Sequence, residues 1–440
     1  MELNKDTSII RNRTGMMALS PVIIFLIFYL VISIVIGDFY KMPISIAFII
    51  ASTWAIITTP HKKISERIDI FSKGAANLNI LLMIWIFILA GSFASLAKGI
   101  GAIDATVNFT LAIMPPQFLI PGLFIAACFI SMSIGTSVGT VVALTPFAIQ
   151  LAQSTGENTP FFVAVVLGGS FFGDNLSFIS DTTIAATRSQ GCKMSDKFKA
   201  NIWITGPAAI ATLIIYFIEG STGATGMTIH ATSSSFWLVV PYLIVIITAM
   251  IGINVLVVLL LGIISSIIIG MCCTNISLIA MCGLMGDGTL SMGELIIVTL
   301  LAGGMLEVVR HNGGISYIIQ KLTKHIHGSR GAQACISLVV GIVNVCTANN
   351  TIAIITVGNL SKQIADKFNL DPRKVASLLD TSSCIVQCII PYGAQTLLAA
   401  GLAKVSPIAF QPFIYFPWIL AAMVALSIIF RFPRSYQIKQ

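Results

Sequence analysis

Residues 161–190 read FFVAVVLGGSFFGDNLSFISDTTIAATRSQ, an apolar segment long enough to cross a bilayer but broken near its centre by the polar string GDNLSFISDTT at 173–183. A carboxylate at the bilayer centre costs at least about 2.5 kcal/mol on insertion scales, so two in one span, Asp174 and Asp181, point to a use. They stand seven residues apart, about two helical turns. In a continuous helix they share a face, and in an unwound one they converge on a single ion. Asn175, Ser177, Ser180, Thr182 and Thr183 add amide and hydroxyl oxygens, and unwinding would add carbonyls. Hard cations take such oxygen ligands, which makes this stretch a candidate Na⁺ cage. A carboxylate withdrawn from water favours its protonated form and a bound cation favours its charged form, so Na⁺ and H⁺ compete for one group.

The rest of the chain places this segment in a membrane. Of 440 residues only 10% are charged and 56% are apolar, with a mean hydropathy of +0.94. Soluble domains carry roughly 25% charged residues, and here too few polar groups remain to cover a water-facing surface. The net charge of +8 is spread between apolar runs rather than gathered on a basic face, which argues against nucleic acid as a partner. Cysteines lie mostly inside apolar runs; Cys384 and Cys388 share a helix face without a histidine, so they read as packing residues. His61, His230, His311, His325 and His327 fall outside span interiors, and neither GxxxxGK[ST], HExxH nor GxSxG occurs. No enzyme activity and no cofactor is expected.

At about 20 apolar residues per crossing, residues 18–36, 43–59, 78–97 and 201–218 read as spans, as do 294–309 and 411–430. Residues 236–272 are too long for one crossing and should turn near Gly252 and Asn254. Residues 373–403 form a second broken segment, interrupted at IIPYGAQ (389–395), where Pro391 removes a backbone donor. Two apolar pairs, 118–152 and 332–364, carry polar tips, SIGTSVGT at 133–140 and NVCTANNT at 344–351. These read as re-entrant hairpins or as span pairs with tight turns. Such tips are tolerable at membrane depth only where protein or cavity water satisfies the backbone. With the N-terminus in the cytoplasm, 22 of the 25 Lys and Arg residues fall inside, Lys197 and Lys374 among them, and Lys41, Lys98 and Lys404 fall outside. Both termini are then cytoplasmic, and Asp38, Asp104 and Asp287 belong to outer loops.

A repeat is visible at a spacing of 212 residues: Ala90, Gly91, Gly101 and Ile103 recur as Ala302, Gly303, Gly313 and Ile315, and Pro160, Val163, Ala164, Leu167 and Ser170 as Pro372, Val375, Ala376, Leu379 and Ser382. Each half, 1–218 and 219–440, reads as five transmembrane helices plus one re-entrant hairpin, with a broken helix near the midplane. Five is odd, so the second copy is inverted. The expected fold is an all-α polytopic membrane protein of two inverted repeats, an architecture common among secondary transporters.

The halves differ in chemistry, because Val386 and Gly393 stand 212 residues after Asp174 and Asp181. The first tip, with Ser133, Gly135, Thr136, Ser137 and Thr140, could complete the Asp174 site. In the second half Thr347, Asn349, Asn350 and Thr351, with Asp380, Ser383, Gln387, Tyr392 and Gln395 around the break, suit a second ion or a polar solute. Glu307 precedes Arg310 by three residues near the cytoplasmic end and joins either that site or a surface pair.

The string GD-x-x-S-x-x-SDTT (173–183), the SVGT tip (137–140) and the duplicated layout resemble the NhaC family of sodium/proton antiporters over nearly the whole chain. The resemblance implies a multi-pass protein of the cytoplasmic membrane, in lipid, built as two inverted repeats with opposed hairpins. It also implies alternating access, often in a homodimer, with Na⁺ and H⁺ as the transported partners. The chain departs from the family pattern at Asn175, where Lys is frequent, at Phe178, where Pro is frequent, and at IIPYGAQ. Two functions remain open. In the first, Asp174 and Asp181 bind Na⁺ or H⁺ in turn. In the second, a Na⁺- or H⁺-coupled exchanger carries an organic anion or amino acid between the two tips. Duplicated hairpins argue against a channel.

Overall fold

The computed structural model describes residues 12–36, 43–60, 62–177, 180–223, 236–251, 253–323 and 328–433. Among the side chains discussed above, Asp38, Lys41, His61, Phe178, His230, Gly252, His325 and His327 lie outside these residues. Regular structure among the described residues is helical, as the hydrocarbon core demands of a chain that must satisfy its own backbone. The first half runs α1 (Asn12–Ile36), α2 (Ile44–Thr58), α3 (Ile64–Ala75), α4 (Leu78–Gly99), α5 (Ala102–Ile113), α6 (Leu119–Ile134), α7 (Ser137–Thr155), α8 (Thr159–Leu176), α9 (Asp181–Gln190) and α10 (Met194–Gly223). The second runs α11 (Val240–Met250), α12 (Val255–Cys273), α13 (Leu278–Ser291), α14 (Gly293–His311), α15 (Gly314–Thr323), α16 (Gly328–Thr347), α17 (Asn350–Lys367), α18 (Pro372–Ile389), α19 (Ala394–Ala403) and α20 (Tyr415–Ile429).

Eight helical stretches among the described residues are long and apolar enough to cross a bilayer, or nine if the bent pair Pro407–Phe413 and Tyr415–Ile429 is one span. The chain is thus a polytopic membrane protein. Its outer face carries exposed Trp85, Ile113, Ile279 and Leu290, side chains that lipid accepts and water does not. Between α11 and α12 the chain turns, and the Asn254 side chain caps α12 by accepting from the Leu256 amide at 2.9 Å.

Several stretches expected as connections are helices. Residues 64–75 form α3, whose acids and bases leave only Ile70 and Gly74 buried, too polar to read as a span. Asp104 lies in the first turn of α5 and Asp287 in α13, not in loops. Glycines and Asp287 lower the hydropathy of α13, which hid it beside α14. These helices form two close crossings. A Cβ on Gly74 of α3 would stand 2.4 Å from the Gly303 carbonyl oxygen of α14, and one on Gly288 of α13 would stand 2.1 Å from that of Gly91 in α4. Backbone meets backbone at both, the packing that small residues permit between membrane helices. Gly288→Ala should therefore destabilise the detergent-solubilised protein by about 2–3 kcal/mol. Gly286→Ala, with nothing within 4 Å of its added methyl, should cost nothing in the same thermal melt.

The broken segments position the site. α8 is gripped by both arms of the first hairpin, α6 and α7, and α18 by both arms of the second, α16 and α17. Beyond the breaks the partners exchange: α9 packs on α17 and α18, and α19 packs on α7 and α8. Each half thus places one short helix against the hairpin of the other.

Candidate ion-binding site

α8 ends at Leu176 because the following residues leave helical geometry, Ser177 with ψ 143° and Ser180 with ψ 140°, and α9 restarts at Asp181. Asp174 sits in the last turn of α8, 5% exposed. Gly173 lets α8 lie directly on α6: a Cβ there would be 2.6 Å from the Cys128 carbonyl oxygen and 2.4 Å from Ser131 Cβ. The hairpin tip closes through Gly135 in the left-handed region, φ +72°, a conformation that costs glycine nothing. Thr136 is extended, and Ser137 opens α7 facing Asp174.

Both carboxylate oxygens of Asp174 accept hydroxyl hydrogen bonds, from Ser180 at 2.7 Å and Ser137 at 3.0 Å. Thr182 lies 2.6 Å from the Ser180 hydroxyl, which it backs. The Ser137 oxygen in turn accepts from Gln395 Nε2 at 2.9 Å, Gln395 Oε1 accepts from Gln387 Nε2 at 3.0 Å, and Gln387 also donates to the Ala348 carbonyl at 3.1 Å. The candidate first-half and second-half residues therefore form one network across the molecule.

A second cluster lies beside it. The Lys197 ammonium, from α10, pairs with Asp380 of α18 and donates to the Asn175 carbonyl and to Thr183 Oγ1. Asn201, one turn further on, donates to Asn175 Oδ1 at 2.9 Å, and Cys384 lies 3.6 Å from Asp380 Oδ1. All of these side chains are buried. The charges that act on Asp174 are those of Asp380 and Lys197.

Several expected site residues lie elsewhere. Asp181 is exposed at the first turn of α9, and the structure does not bring its carboxylate to the Asp174 cluster. The expected convergence of the two carboxylates on one ion is therefore not seen, whether through a shared helix face or through unwinding: the helix breaks, and Asp181 opens α9 on its exposed side. Ser133 donates to the Phe129 carbonyl of its own helix and Thr140 to that of Thr136. Ser177 binds the Met132 carbonyl at 2.9 Å, bracing the break against α6. At the second tip Asn349 caps α17 through the Ile352 amide, Thr347 donates to the Asn349 carbonyl, and Asn350 reaches Cys384 at 3.9 Å. Thr351 continues α17, Ser383 donates to the Asp380 carbonyl, and Tyr392 donates to the Val345 carbonyl at 2.7 Å. Glu307 and Arg310 form a two-point pair at 2.6 and 2.8 Å. Lys197 and Lys374, expected as cytoplasmic loop charges, are buried in the bundle. Lys197 carried a readable signal: Lys197, Asn201, Thr205 and Thr212 recur at helical spacing along α10, and all are buried.

A cavity of about 330 Å³ opens beside this network, lined by Asn77, Glu307, Arg310, Thr347, Asn349 and Tyr392 among others. A second, of about 250 Å³, is lined by Lys98, Asp287, Gln150, Gln153 and Lys404. Among the described residues no group of three or more His, Cys, Asp or Glu side chains could hold a metal ion. The Asp174 site offers one carboxylate and the Ser137 and Ser180 hydroxyls.

A multi-pass bundle with buried carboxylates at broken helices is the body of a secondary transporter. The sequence profile of the Na⁺/H⁺ antiporter family matches residues 5–221 and 221–432, and the chain belongs to that family. It is similar to the Na⁺/H⁺ antiporter NhaC of Bacillus subtilis, 25% identical over 408 residues, covering 84% of this chain and 87% of that protein. NhaC of Alkalihalophilus pseudofirmus is 24% identical, covering 78% and 80%. The malate-2H⁺/Na⁺-lactate antiporter of B. subtilis is 21% identical, covering 76% and 78%.

Proposed function

We propose that this chain exchanges Na⁺ for H⁺ at Asp174 by alternating access, its two halves acting as inverted repeats with both termini in the cytoplasm. One observation carries the reading. Asp174 is a buried carboxylate in hydrogen-bond contact with hydroxyls alone, while the neighbouring Asp380 already holds an ammonium. A buried charge must be neutralised. A proton does so on the carboxylate itself, and Na⁺ does so with the Ser137 and Ser180 oxygens as further ligands. The order α1–α10 recurring in α11–α20, with Asp181 and Ala394 opening the matching half-helices, supports the repeat. The match to antiporters named for Na⁺ and H⁺ supports the choice of ions.

The test is proton flux in everted membrane vesicles acidified inside, with NaCl added alone and a pH-sensitive dye as readout. Release of the gradient by NaCl is expected; no response at any sodium concentration would sink the reading. Ser137→Ala should raise the sodium concentration for half-maximal exchange about tenfold or more, since a hydrogen bond to a charged group contributes about 1.5–3 kcal/mol.

A second reading is favoured by the larger cavity, whose size is in the range of small-molecule pockets and whose mainly apolar lining carries a few polar groups such as Asn349 and Tyr392, and by the relative named for malate and lactate. There Na⁺ or H⁺ at Asp174 drives an organic anion or amino acid bound near Asn349 and Tyr392. Sodium flux that begins only when such a solute is added would make it the main function.

A further inference from the structure

We infer that Lys197 is a tethered cation occupying a second cation site, so that each chain binds one sodium ion rather than two. The inference rests on the reading of Asp174 as the sodium site. Among the described residues the buried charged side chains are Asp174, Lys197, Asp371, Lys374 and Asp380. Asp371 is paired with Arg373. The Lys374 ammonium is held by Ser427 and the Phe432 carbonyl, apart from the cluster. The remaining three, Asp174, Lys197 and Asp380, leave a net charge of one negative unit.

The surroundings of the Lys197 ammonium are those of a cation site. A carboxylate (Asp380), a backbone carbonyl in the last turn of α8 (Asn175) and a hydroxyl (Thr183) converge on it, the oxygen donors that a hard cation takes. An ammonium has three N–H donors and here has three acceptors. These acceptors come from α8, α9 and α18, from both halves, and the Asp380 carboxylate is steadied further by Cys384. The residue that fills the cage comes from a fourth helix, α10, and is covalently attached. It therefore neutralises Asp380 without leaving, and Asp174 is left as the carboxylate whose counter-ion is exchangeable. One carboxylate with an exchangeable counter-ion means one sodium site per chain.

The test is the number of ²²Na⁺ ions bound per chain by the purified protein in nanodiscs at pH 8.5 and saturating sodium. Wild type should bind one and Asp174→Asn none. Lys197→Ala, which empties the cage and leaves its oxygens, should bind two. Lys197→Met combined with Asp380→Asn should bind one, lost again when Asp174→Asn is added. Two ions in wild type, or no second ion in Lys197→Ala, would overturn the inference. If Lys197→Ala does not fold, the double variant decides: retention of the Asp174-dependent ion supports the tethered cation, and its loss places the pair inside the sodium site and overturns it. Equal counts in wild type and Asp174→Asn would instead reject Asp174 as the sodium ligand, and the inference would then stand or fall on whether Lys197→Ala adds an ion.

Discussion

Asp174→Asn is expected to eliminate sodium-evoked proton flux, lowering it by at least about 100-fold, the ratio that on the order of 3 kcal/mol represents. An amide oxygen still accepts from Ser180 or Ser137, so the substitution keeps the shape of the site. What it removes is the negative charge, and with it both the proton that the carboxylate carries and the attraction that holds Na⁺ among hydroxyls. Because the Lys197–Asp380 pair is already neutral, no other carboxylate in the cluster stands ready to take over. Asp181→Asn is the informative partner. Its carboxylate is exposed at the start of α9, so flux within about threefold of wild type is expected, a change under 1 kcal/mol. Equal loss in both variants would mean that the two acids act together during transport, and that one carboxylate is not sufficient.

Gly173→Ala should be almost as damaging, although it changes no polar group. The added methyl would meet Ser131 Cβ at 2.4 Å, the Cys128 carbonyl oxygen at 2.6 Å and the Met132 amide nitrogen at 2.7 Å. Two of these are backbone atoms of α6, which cannot rotate away as a flexible side chain would. The two helices must separate, at a cost of about 3 kcal/mol. Asp174 is the next residue, so its distance to the first hairpin tip changes with the crossing. A lowered melting temperature together with weakened sodium binding is the expected pair of results. Ser133→Ala, which deletes a hydroxyl bonded only within its own helix, should alter neither by more than about 0.5 kcal/mol. If Gly173→Ala melts like wild type and binds sodium normally, α8 and α6 are not in the close contact described.

Much of this was written in the chain. Low charge and long apolar runs required a membrane protein, and Asp174 declared itself by being an acid in the middle of one such run. The breaks were equally legible, at GDNLSFISDTT and at IIPYGAQ, because polar clusters and Pro391 interrupt hydropathy. What misled was local continuity. Asp181 looked like a partner of Asp174 at two-turn spacing, yet it opens α9 with its side chain exposed while Asp174 is buried at the end of α8. Lys197 looked like one more cytoplasmic base among Lys193 and Lys199, since a sliding hydropathy window cannot show which side of a helix faces the protein.

The sequence by itself determined the solvent, the helical class, the broken segments and the central carboxylate, because each depends on residues close together along the chain and on the cost of polarity in hydrocarbon. Only the tertiary structure decided which groups share the site. Asp174 meets Gln395 through Ser137, and Lys197 meets Asp380, across separations of 258 residues for Gln395 to Ser137 and 197 for Thr183 to Asp380. The first contact exists because α19 crosses to the first hairpin, and the second because α10 packs on α18. A buried charge is costly without hydrogen-bonding or oppositely charged partners, and those partners are chosen by packing, not by proximity in sequence.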